Sequence, residues 1–358
     1  MKRQNTLLLF CFFSLLPLPF VISIFTDHVG LGVIWDGISF AIVYVAAILL
    51  FLTIFNNTTK CSKNFLIYKL IWLQDMFILS GVLGTFLGFI FIFDGMGFDA
   101  DVLSTGDDTS ATLISNFAIA IVTLLYGILG STTVYLIQKY YELKNDAMEN
   151  IEIEKPKEGF LFSSALYFSI FIMINIISAF LGSTHTGGVQ RSLLNIEKNI
   201  YMISFLIILI LFYNGNSFIN LIKNVFWYIP DTEKNINYNL KFIRNMKKII
   251  AMFIIISLLC APVVMLLALC CIPPEMNNIG WNNTPFIGVK NGGVIFVWSL
   301  FIIIILSVIE GREVSKLYFE TGKISAGDRY YSLKYILSSA FLLFFTVSIG
   351  IMLSFVAL

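Results

Sequence analysis

Ile71-Trp-Leu-Gln-Asp75-Met-Phe-Ile-Leu-Ser80-Gly-Val-Leu-Gly84-Thr85-Phe-Leu-Gly88-Phe-Ile-Phe-Ile-Phe93 decides the fold. A run this long and this apolar, with Asp75 as its one ionisable side chain, spans about 30 Å of hydrocarbon. In lipid every peptide N–H and C=O must be satisfied within the segment, which makes the run a helix. Working outward, comparable runs fall at Leu7 to Phe25, Ile38 to Phe55, Ile114 to Ile137, Phe160 to Leu181, Ile200 to Ile222, Ile249 to Ile272, Gly293 to Ile309 and Ile336 to Leu358. The expected fold is all-α, a polytopic transmembrane helical bundle of about nine spans. The sixth run is interrupted by Asn214, Gly215 and Asn216, where it is expected to end early.

Composition requires the same solvent. Hydrophobic residues make up 58% of the chain and charged residues 13%, with a mean hydropathy of +0.87. That is too apolar for a water-soluble chain of 358 residues. A formal net charge of +1 gives no pull on nucleic acid or acidic substrates. The basic residues set the orientation. With a cytoplasmic amino terminus and nine alternating spans, all 23 Lys and Arg residues except Arg191, Lys198 and Lys290 lie on the cytoplasmic side. The carboxyl terminus is then outside. Lys2 and Arg3 before an apolar run suggest a secretory signal, but no small-residue cleavage site closes the run. It is read as a retained first span, kinked by Pro17 and Pro19.

The five cysteines, Cys11, Cys61, Cys260, Cys270 and Cys271, have no metal-ligand spacing and are read as buried small hydrophobes. The sustained charged segment Lys139 to Glu158, with Pro156, reads as a solvated linker. It divides the chain into a four-span bundle (1–145), a cytoplasmic linker (146–159), a second four-span bundle (160–320) and a ninth span (321–358). Similar hydropathy and orientation on the two sides suggest a degenerate repeat.

Gly81, Gly84, Thr85 and Gly88 share one face of the third span. In the fourth, Asn116, Ala120, Thr123, Gly127, Gly130 and Ser131 do the same. Small residues let helix backbones approach, which is one reading. The other is that these faces line a central space where Thr85 and Thr123 help conduct a cation or proton. A hydroxyl both donates and accepts, and so passes an ion without burying a charge. Asp75, a turn inside the third span, either pairs with Lys69 or receives protons at the inner exit. The outer loop holds Asp94, Asp99, Asp101, Asp107 and Asp108 without Lys or Arg, which either attracts cations to a mouth or is an ordinary solvated loop.

Gly81-Val-Leu-Gly-Thr-Phe-Leu-Gly88 followed by Ala118-Ile-Ala-Ile-Val-Thr-Leu-Leu-Tyr-Gly127 resembles the MotA/TolQ/ExbB proton-channel family, over roughly Leu7 to Glu142. Trp35-Asp36-Gly-Ile-Ser before the second span is similar to its stator-type members. The resemblance implies a multi-pass protein of a bacterial inner membrane. It implies a homo-oligomer, a pentamer in the family, around a single-span partner carrying a membrane acid, with proton-motive force driving movement. Thr85 and Gly84 match the family's third-span threonine and glycine. In the fourth span Leu124 stands at the usual threonine position and Thr123 is beside it. The loop Asn56 to Leu70 is short where the family has a large cytoplasmic domain.

Other functions remain open. Two bundles of four spans suit a secondary transporter or permease, and the second half suits a non-conducting structural subunit of a membrane complex. No catalytic triad, metal motif or phosphate loop is present, so no enzyme, metal or cofactor is expected. His28 and His185 lie in short outer loops and take no role. Glu310 and Arg312, flanking Gly311, are expected to anchor the inner end of the eighth span.

Overall fold

The computed structural model describes residues 37–56, 62–95, 107–143, 158–184, 215–251 and 284–322. They are mostly helical, in line with the all-α expectation. Helix α1 starts at Gly37–Phe40, passes one π-helical turn at Ala41–Val45 and continues as Ala46–Phe55. Helix α2 is Lys63–Gly95 and α3 is Asp107–Leu143. Strand β1, Gly159–Phe160, leads into α4, Phe162–Thr184. Helix α5, Gly215–Phe226, runs directly into strand β2, Trp227–Tyr228. Residues 233–251 form α6, and α7 is Thr284–Thr321.

Within these elements, Lys63–Gly88 of α2 and Ala120–Leu143 of α3 are long and apolar enough to cross a membrane. Among the described residues they form the most extensive helix pair. Helix α7 runs antiparallel along α2, as three contacts show. Phe65 stacks on Tyr318 with ring centroids 4.0 Å apart, Trp72 Nε1 donates to Ser307 O at 3.1 Å, and Phe86 meets Phe296 at 4.3 Å. Helix α1 fills the space between α2 and α4, so elements on both sides of the expected linker share one core.

The two strands form a small antiparallel clasp, Gly159 opposite Tyr228 and Phe160 opposite Trp227. Gly159 has φ +140°, a conformation costly for a residue with a Cβ. Leu161 N donates to Phe226 O at 2.7 Å, so the start of α4 is tied to the end of α5.

Two expectations are corrected. Residues 223–248, which the nine-span reading leaves as a basic cytoplasmic loop between the sixth and seventh runs, are largely helical. In α6, Ile236, Leu240, Ile243, Met246 and Ile250 recur at three- and four-residue steps and are buried. The eighth helix does not end near Ile309: α7 continues to Thr321, and Glu310, Arg312, Glu313 and Lys316 are buried along it. Fixed partners on α1, α4, α5 and α6 hold those charges, and the helix can therefore carry them onward. Helix α3 continues past Ile137 to Leu143, within the bounds 1–145 of the first bundle. The first and ninth spans, most of the sixth and seventh, the five cysteines, and residues 144–157 of the linker lie outside the described residues.

Candidate functional site

The small faces of α2 and α3 meet. A Cβ on Gly81 would lie 2.9 Å from Gly127 Cα, and one on Gly127 would lie 2.8 Å from Phe77 O. Glycine at both positions is what allows the backbones to touch. Gly84 faces Thr123, Gly88 faces Ala120, and Gly130 lies against the Phe77 ring.

At the centre of this seam Thr85 and Thr123 are both buried. Their hydroxyl oxygens are 2.8 Å apart. Thr85 Oγ1 also lies 2.8 Å from Gly81 O, and Thr123 Oγ1 lies 2.6 Å from Ala120 O. Each hydroxyl has one proton, so these three contacts share two. At any instant either one hydroxyl donates across the seam, or both donate to their own helices. Five residues before Thr85 on α2, Ser80 Oγ is buried and has no hydrogen-bond partner among the described residues.

Towards the other end of α2, Gln74 Nε2 donates to Gln138 Oε1 at 2.5 Å. Asp75 is half-buried there. The Lys69 ammonium lies over the rings of Phe65 and Phe55, 5.2 Å and 5.6 Å from their centroids. Asp94 belongs to the last turn of α2, while Asp99 and Asp101 lie outside the described residues.

A second cluster, which the sequence reading took for helix-end anchors, surrounds α7 beyond Ile309. Arg312, 2% exposed, is a hub. Its Nη1 donates to Ile54 O at 3.0 Å, its Nη2 to Ser164 Oγ at 3.0 Å and to Val225 O at 3.2 Å, and its Nε to Val225 O at 3.4 Å. Ile54 and Val225 are in the last turns of α1 and α5, where helix carbonyls lack intrahelical partners. One guanidinium therefore caps two helices and grips the start of a third. Burial pushes Arg312 down to about 10, with Glu313 and Tyr228 opposing, so it stays cationic at neutral pH.

Glu310 accepts from Arg244 Nε at 2.8 Å and Lys247 Nζ at 2.9 Å, joining α6 to α7. Burial alone raises its carboxyl, but Lys247 and Arg244 outweigh burial and hold it at about 2, against an ordinary 4.5. A lowered folded-state value means the stability is complete above the unfolded value and is lost as pH falls through the folded one. The unfolding midpoint is therefore expected to drop on acidification between about pH 5 and pH 2, and Glu310→Gln to show a weaker drop over that window. Thermal unfolding in detergent, followed at a series of pH values, measures the difference.

Compared with family models, with curated proteins and with solved structures, the chain matches none of them.

Proposed function

We propose that the chain is an ion-conducting subunit of MotA/TolQ/ExbB type in a bacterial inner membrane. In this reading it passes protons and couples their flow to movement of a single-span partner carrying a membrane acid. The observation that carries the reading is the Thr85–Thr123 pair. Two hydroxyls with interchangeable donor roles sit between the two helices that, among the described residues, are long and apolar enough to cross a membrane. Ser80, buried nearby on α2 without a described partner, supports it as a place where water or an ion could be coordinated. The nine spans, cytoplasmic amino terminus and multi-pass topology belong to this proposal, resting on the distribution of basic residues. The homo-oligomer, a pentamer in the family, is supported by the outer face of α3. Ile121, Ile128 and Tyr135 are exposed there at seven-residue spacing, an apolar stripe open to lipid or to a second copy.

One observation favours a second reading, a non-conducting structural subunit. The α2–α3 seam is filled, with Gly81 and Gly127 in backbone contact and both threonines bonded. Thr85→Val separates the two, because valine keeps the shape and removes the relay. Losing one hydrogen bond of ~1.4 kcal/mol at the barrier slows passage about tenfold. Proton flux is measured in liposomes holding the chain together with the product of its neighbouring gene. Thr85→Val is expected to conduct at about a tenth of the wild-type rate or less, and Thr123→Ser, which keeps its hydroxyl, near it. Unchanged flux in Thr85→Val would leave the hydroxyls a packing role. A native mass showing a monomer without companion would defeat the motor reading altogether.

A further inference from the structure

Apart from the α2–α3 seam, α5, α6 and α7 enclose a cleft of about 510 Å³, within the ~300–1,000 Å³ range of small-molecule sites. Behind its lining, the fully buried Glu313 holds two of the lining asparagines. Asn224 Nδ2 donates to Glu313 Oε1 at 3.0 Å and Asn239 Nδ2 to Glu313 Oε2 at 3.1 Å. On the wall, Asn235 Nδ2 donates to Asp231 Oδ1 at 2.9 Å. Carboxylate oxygens accept, so the amide nitrogens must face them. With its nitrogen committed to a carboxylate, each of these three lining amides has a carbonyl oxygen as its acceptor. Lys316, 1% exposed, also lines the cleft. Its ammonium reaches Glu313 Oε1 at 3.5 Å, longer than a strong charge-assisted bond, so donors remain for a ligand.

These groups discriminate. A phosphate or carboxylate offers acceptors alone and would set its lone pairs against the amide carbonyls and Asp231. A bare cation would meet Lys223 and Lys316. Lys223 and Lys316 face Asp231 on the lining, and Glu313 behind the lining answers Lys316, so no charge is left for a ligand to neutralise. A ligand that both donates and accepts, without net charge, satisfies all of them, and the hydroxyl is the group that does so. Tyr238, 64% exposed at the rim, offers a ring face to the C–H side of such a molecule.

We propose that this cleft binds a neutral polyhydroxylated ligand, a saccharide either free or as the headgroup of a glycolipid, whether or not the chain conducts ions. The test uses the full chain in phosphatidylcholine nanodiscs. Maltose binding is followed by saturation-transfer NMR, and retention of glucosyl-diacylglycerol by native mass spectrometry. Binding is expected in at least one arm, and which arm responds identifies the source. Asn220→Ala and Tyr238→Ala change exposed side chains and are expected to weaken binding at least fivefold without altering the thermal midpoint. Lys316→Met is expected to abolish binding, and the two rim variants decide the matter if that protein does not fold. Inorganic phosphate is expected to displace neither probe. Absence of binding in both arms, binding indifferent to the rim substitutions, or displacement by inorganic phosphate would each overturn the assignment.

Discussion

Replacing Arg312 with leucine is expected to cost about 3–5 kcal/mol, the range for breaking a buried charge network by removing one partner. Leucine fills much of the volume but strands two groups of acceptors at once. Ile54 O loses its 3.0 Å bond and Val225 O loses both of its contacts, each at a helix end with no intrahelical donor to turn to. Glu313, in the same buried cluster, keeps Lys316 and the two asparagines but loses the attraction of a second cation. Lysine is expected to rescue little, because one ammonium cannot reproduce a planar fork that spans α1, α4 and α5. Ser164→Ala removes a single acceptor from that fork and is expected to cost about 1 kcal/mol. Unfolding in a graded series of denaturing detergent measures all three. If Arg312→Leu unfolded within 1 kcal/mol of the wild type, in the range of an ordinary surface change, the hub assignment would be wrong.

How legible was this in the sequence? The α2–α3 seam was visible because its signal is local. Glycines and threonines at steps of three and four put Gly81, Gly84, Thr85 and Gly88 on one face before any coordinates exist. Which of the two expected roles that face serves was not visible, since packing and conduction ask for the same small, hydroxyl-bearing residues. Helix α6 was legible and overlooked. Ile236, Leu240, Ile243 and Ile250 have a helical period, but Lys234, Lys241, Arg244, Lys247 and Lys248 between them lower the mean hydropathy and make the segment read as loop.

The charged cluster on α7 was hidden for a different reason. Local reading takes Glu310, Arg312, Glu313 and Lys316 as the point where a span meets water. Their partners are remote: Arg244 lies 66 residues from Glu310, and Ile54 lies 258 residues from Arg312. Periodicity within a window carries no information about such pairs. The run of alternating signs was the available clue, since acids and bases in adjacent turns of one helix can stay buried only if other elements answer them.

The seam offers the sharpest steric test. Gly127→Leu and Gly81→Leu are expected to separate α2 from α3, because at both positions the first added carbon already meets backbone. The obstacles are Phe77 O at 2.8 Å for Gly127 and Gly127 Cα at 2.9 Å for Gly81, and neither can rotate aside. Overpacking costs ~1–3 kcal/mol even where side chains can give, so a clash with backbone should reach at least the upper end of that range. Gly84→Ala meets Ile42 Cγ2 at 3.1 Å and Thr123 Cβ at 3.2 Å, side-chain atoms that can shift by tenths of an ångström. Helix propensity returns up to about 1 kcal/mol there, leaving Gly84→Ala near neutral. Alanine at all three positions gives the like-for-like order, Gly81 and Gly127 worse than Gly84, because the added carbon meets backbone at the first two and side chains at the third. Cysteines placed at Leu83 and Val122 for disulfide mapping would not report the contact, since neither is in the stripe. Thermal unfolding of the three variants in one detergent does. Separation of the helices also breaks the Thr85–Thr123 contact, so under the proposed conducting role Gly127→Leu is expected to lose proton flux together with stability, whereas Thr85→Val should lose flux and keep the fold. A Gly127→Leu protein as stable as Gly84→Ala would show that α2 and α3 do not touch along this face.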